Sequence, residues 1–136
     1  MVEKKIICII CPLGCDITVR GEGNTVGSIE GHTCKRGEQY ASEEFLAPVR
    51  ILTTSVKVTN AKSPLVPVRS RDPVPKELLL KCMERLRSLE LKAPVGLYDV
   101  VVPNILDTGV DIVTTTAMEA LDQYPDDDNR FLLRNR

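Results

Sequence analysis

Tryptophan is absent from this 136-residue chain, and the other aromatics are scarce, with three Tyr and two Phe. A core without large rings must rest on aliphatic side chains, and the length allows one domain or two small lobes. No apolar run approaches the ~18 residues that span a bilayer. No cationic start with an apolar stretch and a small-residue cleavage site is found. The reading is therefore a soluble, cytoplasmic protein without a membrane span. The formal net charge of −1 carries no basic excess, which argues against nucleic acid as a partner. There is one His, no Gly-rich phosphate loop and no nucleophile elbow, so no catalytic residues are assigned. Paired carboxylates such as Glu43-Glu44 fall in segments that read as exposed, and no internal repeat is visible.

What the chain does have is thiols, five in all. Cys8, Cys11 and Cys15 lie within eight residues, and Cys34 follows alone in His32-Thr33-Cys34-Lys35-Arg36-Gly37. Intervals of three and four positions do not bring all three side chains to one face of a regular strand, whereas a tight loop wrapped around a ligand would. Gly14 and Pro12 suit such a loop. Disulfides fit poorly with an expected reducing compartment. A structural zinc site usually shows two separated pairs of ligands, and here the grouping is three plus one. A cubane cluster is held by closely spaced thiolates plus a remote one, although this spacing is not the ferredoxin run. Iron–sulfur, zinc and redox thiols therefore all remain open on spacing. His32 reads as a surface loop residue beside a set of four Cys that is already complete.

The segment from Cys8 to about Thr54 resembles the N-terminal iron–sulfur domain of molybdopterin oxidoreductases such as formate dehydrogenases and nitrate reductases. It shares the CxxCxxxC loop, a hairpin, a distant fourth Cys, the basic residue and Gly of Arg36-Gly37, and Pro48-Val49-Arg50-Ile51-Leu52-Thr53 in place of a Pro-x-Arg element. The resemblance implies one [4Fe-4S] cluster on Cys8, Cys11, Cys15 and Cys34. It also implies a tuning and electron-exit role for Arg36, and a weaker one for Lys35. The gap from Cys15 to Cys34 is shorter than in that family, and the large region that binds pterin and molybdenum is missing, so this chain alone binds no pterin. Over Ile6 to about Thr114 the chain is similar to a family of short, uncharacterised prokaryotic proteins with the same cysteine loop and a Gly-Val-Asp-Ile-Val ending. Members of that family are often encoded beside flavin-dependent dehydrogenases of the glycerol-phosphate type. The resemblance thus implies an electron-transfer accessory subunit for such a dehydrogenase, with a zinc-stapled interaction domain as the alternative.

Hydropathy and turn residues predict an α+β fold. Lys4 to Ile7 leads in as a strand or arm, Asp16–Arg20 and Thr25–Ile29 form a hairpin around Gly21 to Asn24, and Glu38–Phe45 is a short helix. Ile51–Val58 and Leu65–Arg69 read as strands, the second demoted towards an edge by Pro67. Residues 1–63 form the metal-binding lobe, and the Pro-rich stretch 64–75 is a connector. Residues 76–116 form a small α+β lobe, opening on a helix from Lys76 to Leu91 with Pro75 at its first position. Its apolar face is Leu78, Leu79, Cys82, Met83, Leu86 and Leu89, which makes Cys82 a buried small hydrophobe. Asp99–Val102 and Gly109–Val113 are further strands. Residues 117–136, with the acidic run Asp126 to Asp128, read as a mobile, solvated tail.

Overall fold

The computed structural model describes residues 1–121. It divides into two compact units, Met1–Val49 and the chain from Arg50 onward. Both mix helix and strand, which makes the fold α+β.

In the first unit, β1 (Val2–Ile7), β2 (Asp16–Glu22) and β3 (Thr25–Glu30) form an antiparallel sheet in that order. The alternation of β2 decides which face is buried, with Ile17, Val19 and Gly21 inward and their neighbours outward. The hairpin turns at Gly23-Asn24, where Gly23 takes φ +57°, a conformation glycine adopts without a Cβ penalty. Helix α1 (Lys35–Leu46) starts earlier than the expected Glu38 and covers the sheet's inner face through Gly37 and Ala41. Tyr40 and Phe45 add partly buried rings to a small core of Ile6, Cys8, Ile17, Val19 and Ala41. Lys4 Nζ ties β1 to the end of the helix by donating to the Glu44 carbonyl at 3.2 Å.

The division between units falls at Val49/Arg50, at the two-residue strand β4 (Val49–Arg50). The Pro-rich stretch 64–75, read from sequence as a connector, instead lies inside the second unit, where it supplies β6 (Leu65–Ser70) and β7 (Val74–Pro75). The unit's main sheet has five strands in the order β8 (Glu90–Lys92), β5 (Thr53–Thr59), β6, β10 (Ile112–Thr114), β9 (Val100–Val102). Pro67 therefore occupies a central strand, not an edge. The N–H and C=O of one residue in an antiparallel strand point the same way, and the Pro67 carbonyl accepts from Thr115, just past the end of β10. Its missing N–H faces the same residue, so the Pro67–Thr115 pair at the end of the ladder keeps one of its two hydrogen bonds and the rungs of β10 itself are untouched.

The helix expected over Lys76 to Leu91 is shorter. A 3-10 turn (Lys76–Leu78) precedes α2 (Leu79–Arg87), and Ser88 closes it by donating its hydroxyl to the Arg85 carbonyl at 3.0 Å. Beyond that the chain straightens into β8, which pairs in parallel with β5 through Lys57–Glu90, Val58–Leu91 and Thr59–Lys92. Pairing with the sheet takes precedence over helix propensity there. The apolar face holds: Cys82 and Leu86 are buried, and Leu78, Leu79, Met83 and Leu89 pack against the same core as Val56, Val66, Val68 and Ile112. Residues 117–121, read from sequence as the start of a mobile tail, are packed, and residues 122–136 lie outside the described residues. Met118 pairs with Val95, Ala120 is buried, and the Leu121 N–H reaches the Asn60 carbonyl. The acidic run Asp126 to Asp128 lies outside the described residues.

Asp111 organises the turn before β10. Its carboxylate accepts from the Asn104 N–H at 2.9 Å and from Arg71 Nη1 at 3.1 Å, while Asn104, Leu106 and Asp107 all take positive φ. Such backbone is held only where its surroundings over-determine it. Asp111→Ala is expected to lower unfolding stability by about 1–2 kcal/mol through the unpaired Asn104 amide, measurable by urea unfolding followed by circular dichroism.

Candidate metal centre

All four candidate ligand thiols belong to the first unit. Cys8 continues β1, and the Cys8 N–H donates to the Cys15 carbonyl at 2.9 Å. This extends the register that pairs Ile6 with Ile17 and Ile7 with Asp16. Residues two apart share a face, so Cys8 and Cys15 fall on the inner face with Ile6 and Ile17. Burial agrees: Cys8 is 5% exposed and Cys15 is half-buried. Between them, Ile9, Ile10, Pro12 and Leu13 are exposed, and Cys11 sits half-buried near the tip.

Cys34 is the residue that caps the N-terminus of α1. Cys34 itself is exposed, and its chain neighbours lie against the loop thiols. The Thr33 hydroxyl lies 3.2 Å from Cys15 Sγ, and a Cβ on Gly37 would stand 3.6 Å from Cys8 Sγ and 3.8 Å from His32 Cβ. Gly37 thus keeps the first turn of α1 slim where it passes the Cys8 sulfur. Glycine is needed at Gly31, where φ is +92° and a Cβ would collide with the Asp16 backbone oxygen, whereas a Cβ at Gly37 would make ordinary contacts.

The electrostatics single out Cys34. The backbone N–H of Gly37, then the Arg36 amide and guanidinium, hold its thiol below the ordinary value, with its desolvation opposing them. Burial alone pushes the Cys82 thiol up. With limiting iodoacetamide near neutral pH, peptide mapping is expected to show Cys34 labelled at least about tenfold faster than the fully buried Cys82. His32 is less exposed than the sequence reading has it. Its Nε2 lies 3.7 Å from the Glu38 carboxylate, and its Nδ1 is buried and makes no hydrogen bond. Lys35 and Arg36 are exposed.

The donor set, four thiols on one small unit with a glycine beside the most buried one, suits a soft metal or an iron–sulfur cluster by type. Among the described residues, no three His, Cys, Asp or Glu side chains stand close enough together to hold a metal ion. The sequence reading missed the pairing of Cys8 with Cys15. The alternation Ile6-x-Cys8 and Cys15-x-Ile17-x-Val19 carried that signal. It also missed Thr33, whose contact depends on the approach of β3 and α1 to the loop. No helix of the described residues is long and apolar enough to cross a membrane.

No curated protein matches the chain. The NMR structure of the Clostridium perfringens protein CPE0013 is similar to it at 32% identity and a TM-score of 0.51, over 57% of this chain and 91% of that one. A family model described as a protein of unknown function, DUF1667, matches residues 35–116, beginning one residue after Cys34. That match takes in α1 and runs through β10, and with more than half of its length covered the chain belongs to the DUF1667 family.

Proposed function

We propose that Cys8, Cys11, Cys15 and Cys34 hold a [4Fe-4S] cluster and that the protein passes single electrons as a small partner of a flavin-dependent dehydrogenase. The observation that carries this reading is the placement of Cys8 and Cys15 on one face of the β1–β2 end, with Cys34 brought to the same end by the α1 N-terminus. The resemblance of the loop and its Arg-Gly sequel to the iron–sulfur domain of molybdopterin oxidoreductases supports it, and so does the thiol-only donor set.

Bound there, the cluster would supply one-electron chemistry. The chain's own residues supply the rest. Cys8 would hold the group from the buried side, and the half-buried Cys11 would hold it from the loop between Ile9 and Gly14. Gly37 leaves room beside Cys8, and the amides of the first turn of α1 favour negative charge on the Cys34 sulfur. Arg36, exposed and interacting with the Cys34 thiol, would meet an acidic partner surface.

The deciding experiment is anaerobic purification with metal analysis. A brown protein with about four iron per chain, whose visible absorption bleaches on reduction, supports the proposal. A colourless protein with one zinc per chain overturns it in favour of a structural staple. Arg36→Gln is expected to keep the iron and lower the midpoint potential by an amount on the order of tens of millivolts, because a nearby cation favours the more negative reduced state. The shift should shrink as salt is raised, since the side chain is exposed. Potentiometric titration followed at the visible band measures it.

A further inference from the structure

Strand β1 is paired on one side only, to β2, so its other edge is open. Which groups line that edge follows from the register. The Cys8 N–H donates to the Cys15 carbonyl, and counting back along the pairs Ile7–Asp16 and Ile6–Ile17 makes Ile6, Lys4 and Val2 the residues of β1 that bond to β2. The N–H and C=O of Glu3, Lys5 and Ile7 therefore point to the open edge, a row that templates another strand. The strand holds no proline, and its ladder with β2 has no bulge. Helix α1 leaves the edge clear, because it lies over the inner face with Gly37 close to Ile17 and Phe45 close to Gly21.

We propose that this edge pairs with the same edge of a second copy of the chain, antiparallel, about a two-fold axis at Lys4. The charges of the strand select that register. An axis at Glu3 sets Glu3 against itself and an axis at Lys5 sets Lys5 against itself, and like charges directly opposite are destabilising. An axis at Lys4 sets Glu3 against Lys5 at both symmetry-related rungs, and these are the residues whose backbone groups face the edge. Glu3 Oε2 takes Arg20 Nε at 2.7 Å, which leaves Oε1 for the lysine. Lys4 meets its own copy on the axis, but its side chain lies on the inner face, where Nζ donates to the Glu44 carbonyl at 3.2 Å. Val2 then opposes Ile6, and Ile7 opposes Met1. The contact covers apolar side chains that are 59% exposed at Val2, 63% at Ile7 and 88% at Met1. Lysine on a free edge guards against indiscriminate pairing, and here it admits the register that supplies a glutamate. The two three-stranded sheets become one continuous sheet with an isologous interface, and the cysteine loops fall at its opposite ends. The pairing needs no metal, so it stands or falls apart from the cluster reading.

The test is sedimentation equilibrium of the full-length protein, in reductant so that no thiol cross-links, over about a hundredfold range of concentration. The weight-average mass is expected to climb from 15.1 kDa towards twice that value. Lys5→Glu and Glu3→Lys each set like charges together at two rungs, and each alone should weaken association by about tenfold or more. Mixed in equal amounts, the two variants should associate with each other, because both rungs of the mixed pair then join a lysine to a glutamate. Hydrogen exchange at the Glu3, Lys5 and Ile7 amides should slow as the wild type is concentrated and stay fast in either variant alone. Circular dichroism checks that each variant is folded. If a charge reversal disturbs the fold, Lys5→Pro takes its place, since it deletes an edge donor that β2 does not use. A wild type that stays at 15.1 kDa throughout overturns the proposal. So does a dimer that the folded variants keep, or one whose Glu3, Lys5 and Ile7 amides exchange freely, since the contact then lies elsewhere, such as at the exposed Ile9 and Leu13 of the cysteine loop.

Discussion

Replacing any one of Cys8, Cys11, Cys15 or Cys34 by Ser is expected to lower bound iron by more than about tenfold, whereas Cys82→Ser leaves the iron in place. Loss of even an outer-shell partner of a metal site typically costs 10- to 100-fold in affinity, and loss of a ligand costs at least as much. Cys82 tests specificity well because it is a thiol of the same chain fully buried in the core of the second unit with Leu86 and the strands there. Its own replacement places a hydroxyl in an apolar core and costs about 1–3 kcal/mol. Cys82→Ser should therefore melt at a lower temperature while retaining its iron. Iron and acid-labile sulfide assays on the five variants give the answer. Equal depletion in Cys82→Ser would show that iron loss follows instability and not ligation.

The second large effect is expected at Gly31. Its φ of +92° is costly for any residue with a side chain, and a Cβ there would strike the Asp16 backbone oxygen. Left-handed backbone costs about 1–2 kcal/mol for an L-residue, and overpacking against rigid backbone about 1–3 more. Gly31→Ala is expected to destabilise the first unit by about 2–5 kcal/mol in total. The second unit should be affected far less. Hydrogen exchange would locate the loss in β2, β3 and α1, with amides of β5, β6 and β10 unchanged. Gly31 lies between β3 and Cys34 and touches the residue after Cys15. The same substitution should therefore weaken metal retention, even though no thiol is altered.

Much of this was legible because local rules coincide with the final structure. The β2–β3 hairpin follows from alternation at Ile17 and Val19 and from turn residues at Gly23-Asn24, all of which act over a few positions. The apolar face of α2 was readable for the same reason. Its end was not, because Leu89 and Leu91 continue the helical spacing while the partner that draws Leu91 into a strand, Val58, lies 33 residues away. Pro67 misled in the opposite direction. A proline signals an edge only if its missing donor faces a neighbour that needs it, and whether Thr115 or a β10 rung stands there is a matter of tertiary register. At the candidate site, the thiols and their count were plain in the sequence. Their relative placement came from the β1–β2 register, which no spacing rule within the cysteine loop contains.

Cys8 belongs to a core of only five buried side chains, while the second unit gathers fourteen among the described residues. Free energies of local opening scale with what is buried, so the two units need not open together. A solvent-borne reagent reaches the Cys8 sulfur chiefly when the β1–β2–α1 cluster opens. The rate at which Cys8 is alkylated, compared with that of a solvent-exposed thiol, therefore reports the opening equilibrium of the first unit. The residue acts as a built-in gauge of local breathing, read by mass rather than by spectroscopy, and it works on a chain that lacks tryptophan for fluorescence.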